Sequence, residues 1–284
     1  MKYIDLHTHS TCSDGTFTPS ELAACAAEKG LAAFALTDHD TTEGLKEAAA
    51  AAAERGVEFV PGIEFSTDWR GRDIHIVGLD IRPDNPQLKE KLDTFRRNRD
   101  ARNEEMLSLL QKVGGFDISM DALRADYGED TVITRAHFGR WLFEHGCVRS
   151  ISEAFALYLG DGCPCFVEKK RTRPETAIRL ILGAGGIPVL AHPLLYHLSM
   201  QELEELAGEL KEYGLAGIEA IYSTNLGLDE SRMRRFARKM GLKISGGSDF
   251  HGKNKPLIEM GSGRGNLKIP YEVLEELRKC KAAE

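Results

Sequence analysis

The sequence predicts an α/β protein, built on an incomplete or distorted barrel of seven strands with a helical subdomain inserted into it. Three observations lead there. Seven short apolar runs alternate with helix-like stretches, polar residues collect just after those runs, and the alternation stops between about residues 82 and 170.

The runs 3–6, 32–36, 58–63, 74–79, 187–191, 217–221 and 243–246 are short and apolar, and they read as buried strands. Helix-like patterns cover 19–29, 42–55 with its alanine run, 173–184, 200–213 and 229–240. Ser, Thr or Asp opens several of them, and Gly30, Gly56, Gly214 and Gly241 stand where helices end. Strands separated by helices at this spacing imply parallel pairing with crossover connections. From 83 to 170 the rhythm changes: a long polar helix is expected over 87–113, then shorter helical patterns and no buried strand. Pro83 and Pro86 mark the entry and 160–164 the return, so the expected division is a barrel of 1–82 and 171–284 with 83–170 as an insertion.

Of the 284 residues 42% are hydrophobic and 29% charged, a mixture that excludes disorder, collagen and a disulfide-stapled miniprotein. Lys and Arg number 37 against 44 Asp and Glu, and a net charge of -7 argues against gripping nucleic acid by bulk phosphate neutralisation. No run approaches the ~18 apolar residues of a membrane span, and residues 1–9 carry charge and histidine where a signal peptide would be apolar. The expected location is cytoplasmic. The six cysteines include no Cys-x-x-Cys pair, and Cys163 and Cys165 lack a second pair to complete a zinc site, so all six read as reduced bystanders.

The polar residues follow the strands one after another: His7 and His9, Asp38 and His39, Glu64, His192, then Asp249 and His251. Barrels of this class build their sites on that face, where the loops after the strands converge. His75 lies inside its predicted strand, from where it can still point into the barrel. His7-Thr8-His9 puts two imidazoles on one side of an extended chain, within reach of one ion. Alone, the pair reads equally well as two satisfied core histidines. Asp249 and His251 repeat the spacing with one carboxylate, a nitrogen and oxygen mixture that Zn, Mn and Fe accept. Asp38 and Asp40 read as supporting or loop residues, and Glu64 as either an exposed strand end or a carboxylate bridging two ions. Together the placements point to a metal site.

Longer motifs carry a resemblance. DLHTHSTCSDG at 5–15, LTDHDTTEGL at 36–45, PGIE at 61–64, AHP at 191–193 and GSDFH at 247–251 resemble the motifs of the polymerase and histidinol phosphatase (PHP) family of metal-dependent phosphoesterases. TRAHFGR at 134–140 and VEKK at 167–170 resemble the branch that removes the 3′-phosphate from 3′,5′-nucleoside bisphosphates and trims 5′ ends of short RNA. The resemblance implies a distorted seven-stranded (β/α)7 barrel holding three divalent transition-metal ions (Mn, Fe or Zn). His7, His9, Glu64 and Asp249 would hold the first ion; Glu64 would bridge to a second, completed by His75 and His192. Asp14, His39 and His251 would hold the third. Histidinol phosphatases tend to have histidine at the position of Asp14, which turns the reading away from that substrate. Arg135 and His137 match a phosphate-binding segment. Lys169 and Lys170 either serve similarly or form a solvated strand end. His197 is a candidate leaving-group acid against a plainer reading as a loop residue, and His145 reads as the last residue of its helix.

The function expected is hydrolysis of the 3′-phosphate of a 3′,5′-nucleoside bisphosphate by a hydroxide bridging two ions. Arg135, His192 and Asp249 would act at the reacting phosphate. The implied partners are a small phosphorylated substrate or a short RNA, with no membrane and no obligate protein partner. Three alternatives stay open: hydrolysis of a cyclic sugar phosphate or histidinol phosphate, a 5′-end exoribonuclease, and a catalytically silent phosphate-binding module.

Overall fold

The computed structural model describes residues 2–129, 131–168 and 172–281. All seven expected strands are present: β1 Tyr3–Asp5, β2 Ala33–Leu36, β3 Glu58–Trp69, β4 Arg72–Leu79, β5 Ile187–Leu190, β6 Gly217–Tyr222 and β7 Lys243–Gly247. An eighth, β8 Ile269–Pro270, pairs antiparallel with β1, so the sheet runs β7-β6-β5-β4-β3-β2-β1-β8. It curls until its ends meet. The Leu6 amide donates to the Gly246 carbonyl (3.2 Å), Asp249 N–H to the His7 carbonyl (2.8 Å) and His9 N–H to the Phe250 carbonyl (2.9 Å). This seam needs Gly247, because a β-carbon there would stand 2.2 Å from the His7 Cβ.

Pairing is parallel from β1 to β3 and from β5 to β7, but the all-parallel expectation fails at β4, which runs antiparallel to both neighbours. The cause is local. β3 does not stop near 63 but continues to Trp69, and a two-residue turn, Arg70 (φ 53°) and Gly71 (φ 80°), returns the chain directly as β4. Two successive positive φ values match the hairpin turn whose twist suits antiparallel strands. This reversal brings the early part of β4, including His75, to the end of the sheet where β3 carries Glu64.

Helices α1 Pro19–Glu28, α2 Leu45–Arg55, α7 Pro174–Gly183, α8 Met200–Glu212 and α9 Asp229–Met240 lie outside the sheet. Their buried faces (Leu22 and Ala26; Ala48 and Ala52; Ile178 and Ile181; Leu206 and Leu210; Met233 and Ala237) join Phe34, Ile63 and Ile76 in the main core. Such i, i+3 and i, i+4 spacing is what an amphipathic helix offers a sheet. A second cluster fills the barrel interior, where Ile4, Leu6, Ala33, Ala35, Val60 and Val189 meet Val273, Leu274 and Leu277 of α10 (Glu272–Arg278).

Between β4 and β5 come α3 Pro86–Lys112, α4 Met120–Tyr127, α5 Arg135–Glu144 and α6 Ile151–Ala154, the last running into a π turn at Phe155–Leu159. The early part of α3 packs Leu88, Leu92 and Phe95 on the main core, while Met106, Leu107 and Leu110 join a third cluster with Leu123, Phe138, Trp141 and Leu159. At ~1.5 Å per residue α3 is long enough to belong to both. All six cysteines are free.

A candidate metal centre and the cavity above it

β1 runs on into His7-Thr8-His9, and the alternation of an extended chain sends the two imidazoles one way and Thr8 the other, where its hydroxyl donates to the Ala35 carbonyl (2.6 Å). The following loop is tied down by Asp38, whose carboxylate accepts from Ser10 N–H (2.7 Å), Ser10 Oγ (2.6 Å) and Ser13 Oγ (2.6 Å). Burial raises the Asp38 pKa, and the histidine and serine contacts offset only part of that rise. It is a support for the loop, as its sequence position suggested.

Four donor atoms converge at the end of β1. His7 Nε2 lies 3.1 Å from His9 Nε2, 3.2 Å from Glu64 Oε2 and 3.6 Å from Asp249 Oδ1; His9 Nε2 is 3.1 Å from Glu64 Oε2 and 3.4 Å from Asp249 Oδ1. A tetrahedral ion with bonds of ~2.1 Å needs ligand atoms ~3.4 Å apart, a spacing that His7, His9 and Asp249 meet as one group, with Glu64 Oε2 at a similar distance from both histidines. The other oxygen of Glu64 faces His75 Nδ1 (2.9 Å) and His192 Nε2 (3.0 Å). A third group gathers around Asp14: His251 Nε2 is 3.2 Å from Oδ1, His39 Nε2 4.0 Å from Oδ2 and His9 Nδ1 3.7 Å from Oδ1. His39 Nδ1 also approaches Glu64 Oε2 (3.2 Å), so His39 stands between two groups.

The donor chemistry fits metal. His251 Nδ1 donates to the Asp249 carbonyl (2.9 Å), which fixes the ring with Nε2 turned towards Asp14. Nδ1 of His39 and of His192 are buried without a hydrogen-bond partner. Burial favours the neutral acids, yet the imidazoles hold Glu64, Asp14 and Asp249 well below the usual carboxylate range. The converse holds for His9 and His75: burial disfavours their charge, but the combined pull of the carboxylates lifts them to about 9 and about 10. His39, where burial dominates, is pushed down to about 3 and is neutral. Asp249 Oδ2 is held by Tyr222 OH (2.6 Å) and Lys255 Nζ (2.5 Å).

Above the cluster is a cavity of about 320 Å³. Asp14, His39 and His75 line one side; Arg99 and Arg102 of α3 and Arg135 of α5 line the other. Both α3 arginines escape a sequence reading, because the middle of the helix carries Arg96, Arg97, Arg99 and Arg102 in close succession and only its packing shows which of them look inward. Arg135 Nη1 donates to the Leu159 carbonyl (3.2 Å) and Asp161 (3.0 Å), and its guanidinium lies against the Phe155 and Phe166 rings. Arg99 and Arg102 make no ion pair among the described residues, and Arg102 Nε is buried without a hydrogen-bond partner. Burial, with Arg135 and Arg99 nearby, pushes Arg102 down to about 10.

His137 does not line the cavity. Its Nδ1 accepts from the Thr134 amide (3.0 Å) at the start of α5, and its ring packs on Tyr127. Lys169 and Lys170 lie outside the described residues. His197 is exposed at the end of a short helical turn, and His145 ends α5 stacked on Trp141 at 3.9 Å between ring centres. Glu219 and Tyr222 were also missed, although Glu219 is the one charged residue of an otherwise apolar run.

A barrel whose mouth gathers histidines and carboxylates in this way has the architecture of a metallohydrolase. The chain belongs to the PHP domain family, whose model matches residues 5–155. It is 40% identical over 252 residues (88% of each chain) to the 3′,5′-nucleoside bisphosphate phosphatase of Chromobacterium violaceum. It is 38% identical over 266 residues (91% of this chain, 96% of the relative) to a 5′-3′ exoribonuclease of Haemophilus influenzae. A sulfate-bound, metal-free structure described as an amidohydrolase, also from Chromobacterium violaceum, superposes with a TM-score of 0.85 at 36% identity, covering 98% of this chain and 96% of that one. Among the described residues no helix is long and apolar enough to cross a membrane.

Proposed function

We propose that the chain is a metal-dependent phosphoesterase that removes the 3′-phosphate of 3′,5′-nucleoside bisphosphates. The observation that carries this reading is the two-sided cavity, with candidate metal ligands on one wall and three arginines on the other. A substrate with one phosphate answers only the first wall. Arg99 and Arg102 make no direct ion pair among the described residues, and Asp40 acts on them only at longer range; both can take a second anion, and guanidinium is the donor suited to phosphate. The volume sits at the small end of ligand sites, room for a nucleotide, and Phe95 and Phe155 offer aromatic faces to a base.

In this reading His7, His9, Glu64 and Asp249 hold one divalent ion; Glu64, His75 and His192 a second; Asp14, His39 and His251 a third, each Mn, Fe or Zn. Such ions supply acidified water and polarised phosphoryl oxygens when bound. His192 and Asp249 act at the reaction as ligands, holding the ions to which the scissile phosphate would bind. Arg135, held at Nη1 and flanked by two rings, meets charge developing on phosphoryl oxygens without having to reorganise. Burial pushes His137 down to about 4, and its neutral ring, with Nδ1 accepting the Thr134 N–H, caps the start of α5, the helix that carries Arg135. Residues 83–170 form the insertion that carries this wall. A nucleotide substrate suits the cytoplasmic location expected from the sequence.

Trimming of short RNA from its 5′ end is a second reading, favoured by the 38% identity to the exoribonuclease, with the arginine wall taking a terminal phosphate. Phosphate release by the Mn-loaded protein from a 3′,5′-bisphosphate and from histidinol phosphate, measured beside mononucleotide release from a 5′-phosphorylated short RNA and ring opening of a cyclic sugar phosphate, tests both. The bisphosphate is expected to give the highest kcat/KM, with a nucleoside 5′-monophosphate as product. Preference for a cyclic or histidinol phosphate would overturn the substrate assignment.

A further inference from the structure

β6 supplies none of the nine candidate ligands, yet it lies between β5 and β7, whose ends lead into His192 and Asp249. Its carboxylate, Glu219, is 3% exposed and uses both oxygens. Oε1 lies 3.1 Å from His7 Nδ1, and Oε2 accepts the His192 backbone N–H at 2.8 Å. A carboxylate facing Nδ1 accepts its proton, so when His7 carries a single proton, as a metal ligand must, that proton sits on Nδ1 and the lone pair on Nε2, the atom that faces His9, Glu64 and Asp249. At His192 the same group holds a backbone with φ 25° and ψ 57°, a region that non-glycine residues rarely adopt and that persists only when its surroundings impose it. The register between β6 and β7 slips here, Glu219 facing Ser245 while Ile221 faces Gly246, and such bulges re-aim side chains beside sites.

We propose that Glu219 is a positioning residue serving two ion positions at once. By fixing the His7 proton on Nδ1 and holding the strained His192 backbone, it makes the two ε-nitrogens converge on the two oxygens of Glu64, His7 at 3.2 Å and His192 at 3.0 Å. Glu219 does not line the cavity, so its effect reaches the substrate only through these two histidines. The inference rests on the metal reading of the cluster given above.

Glu219→Gln keeps the shape but offers one oxygen where two are needed. If that oxygen takes the His192 N–H, the amide NH₂ faces His7 Nδ1, makes it an acceptor and moves the ring proton to Nε2. Titration of metal-free protein with Mn²⁺ and Zn²⁺ should show affinity weakened about 10- to 100-fold, the usual range for a lost outer partner of a ligand. Turnover should recover at saturating metal, and the Tm of the metal-free variant should stay near that of the wild type. In the Zn-loaded wild type, ring ¹⁵N shifts should place the His7 proton on Nδ1. Hydrogen exchange at the His192 amide of metal-free protein should quicken in Glu219→Ala and stay slow in Glu219→Gln, a readout that stands even if the metal reading fails. Wild-type metal affinity in Glu219→Gln, or a lowered Tm with unchanged affinity, would overturn the proposal. If Glu219→Ala does not fold, the glutamine variant and the ring shifts decide it alone.

Discussion

At the scale of single residues, the proton is the competitor a cation must displace. His9 and His75 hold theirs to about pH 9 and about pH 10, because the surrounding carboxylates overcome the burial that disfavours charge. Metal uptake near neutral pH should therefore release protons, and affinity should rise with pH, which calorimetric titration in buffers of different ionisation enthalpy would detect. The sign for stability follows from the same shifts. A histidine whose folded pKa lies above ~6.5 contributes stability that is complete below that value and is lost as pH rises through 9 to 10. The Tm of metal-free protein should accordingly fall between pH 7 and 10, while metal-loaded protein should lose stability towards acid instead. On the opposite wall, Arg102→Ala should leave metal content unchanged and lower kcat/KM for the bisphosphate about 10- to 100-fold, roughly 1.4 to 2.8 kcal/mol. The loss should be smaller for a minimal aryl phosphate, and equal losses on both would remove Arg102 from the second phosphate. Residues that follow strands in recognisable motifs were legible in the sequence; Arg99, Arg102 and Glu219 were not, because their meaning depends on which face of α3 or β6 turns inward.

At the scale of elements, the seven apolar runs locate seven strands, since their short length and flanking helix and turn signals favour buried strands over buried helix segments. Direction is another matter. The reversal at Arg70 and Gly71 lacks the Asn-Gly or Asp-Gly signature of a tight hairpin, so β4 looks like one more parallel strand until the structure pairs Glu64 with Val77 and Ser66 with His75. β8 and α10 escaped for a plainer reason: two residues and seven residues are too short to show a period. The β1–β7 seam gives the sharpest element-scale prediction. Gly247→Ala would set a β-carbon against His7, so it should cost about 1 to 3 kcal/mol in urea unfolding and weaken metal binding together. A variant with wild-type stability and metal affinity would show that the strands approach less closely.

For the whole molecule, three hydrophobic clusters divide the work. Two build and fill the barrel that positions the metal candidates, and the third, centred on Phe138, Trp141 and Leu142, holds the helices that bring Arg135 over them. Phe138 is fully buried, so Phe138→Ala should cost about 3 to 5 kcal/mol locally, reducing turnover sharply while metal content persists. Hydrogen exchange should show protection lost across 106–165 and kept in the barrel strands; uniform loss would mean that the helices and the barrel are one cooperative unit. The central claim is that the barrel mouth assembles a centre of three ions from His7, His9, Asp14, His39, Glu64, His75, His192, Asp249 and His251. Elemental analysis of protein loaded with Mn²⁺ and then freed of excess metal tests it most directly. More than two equivalents per chain are predicted, and a reproducible value of two or fewer would contradict the account.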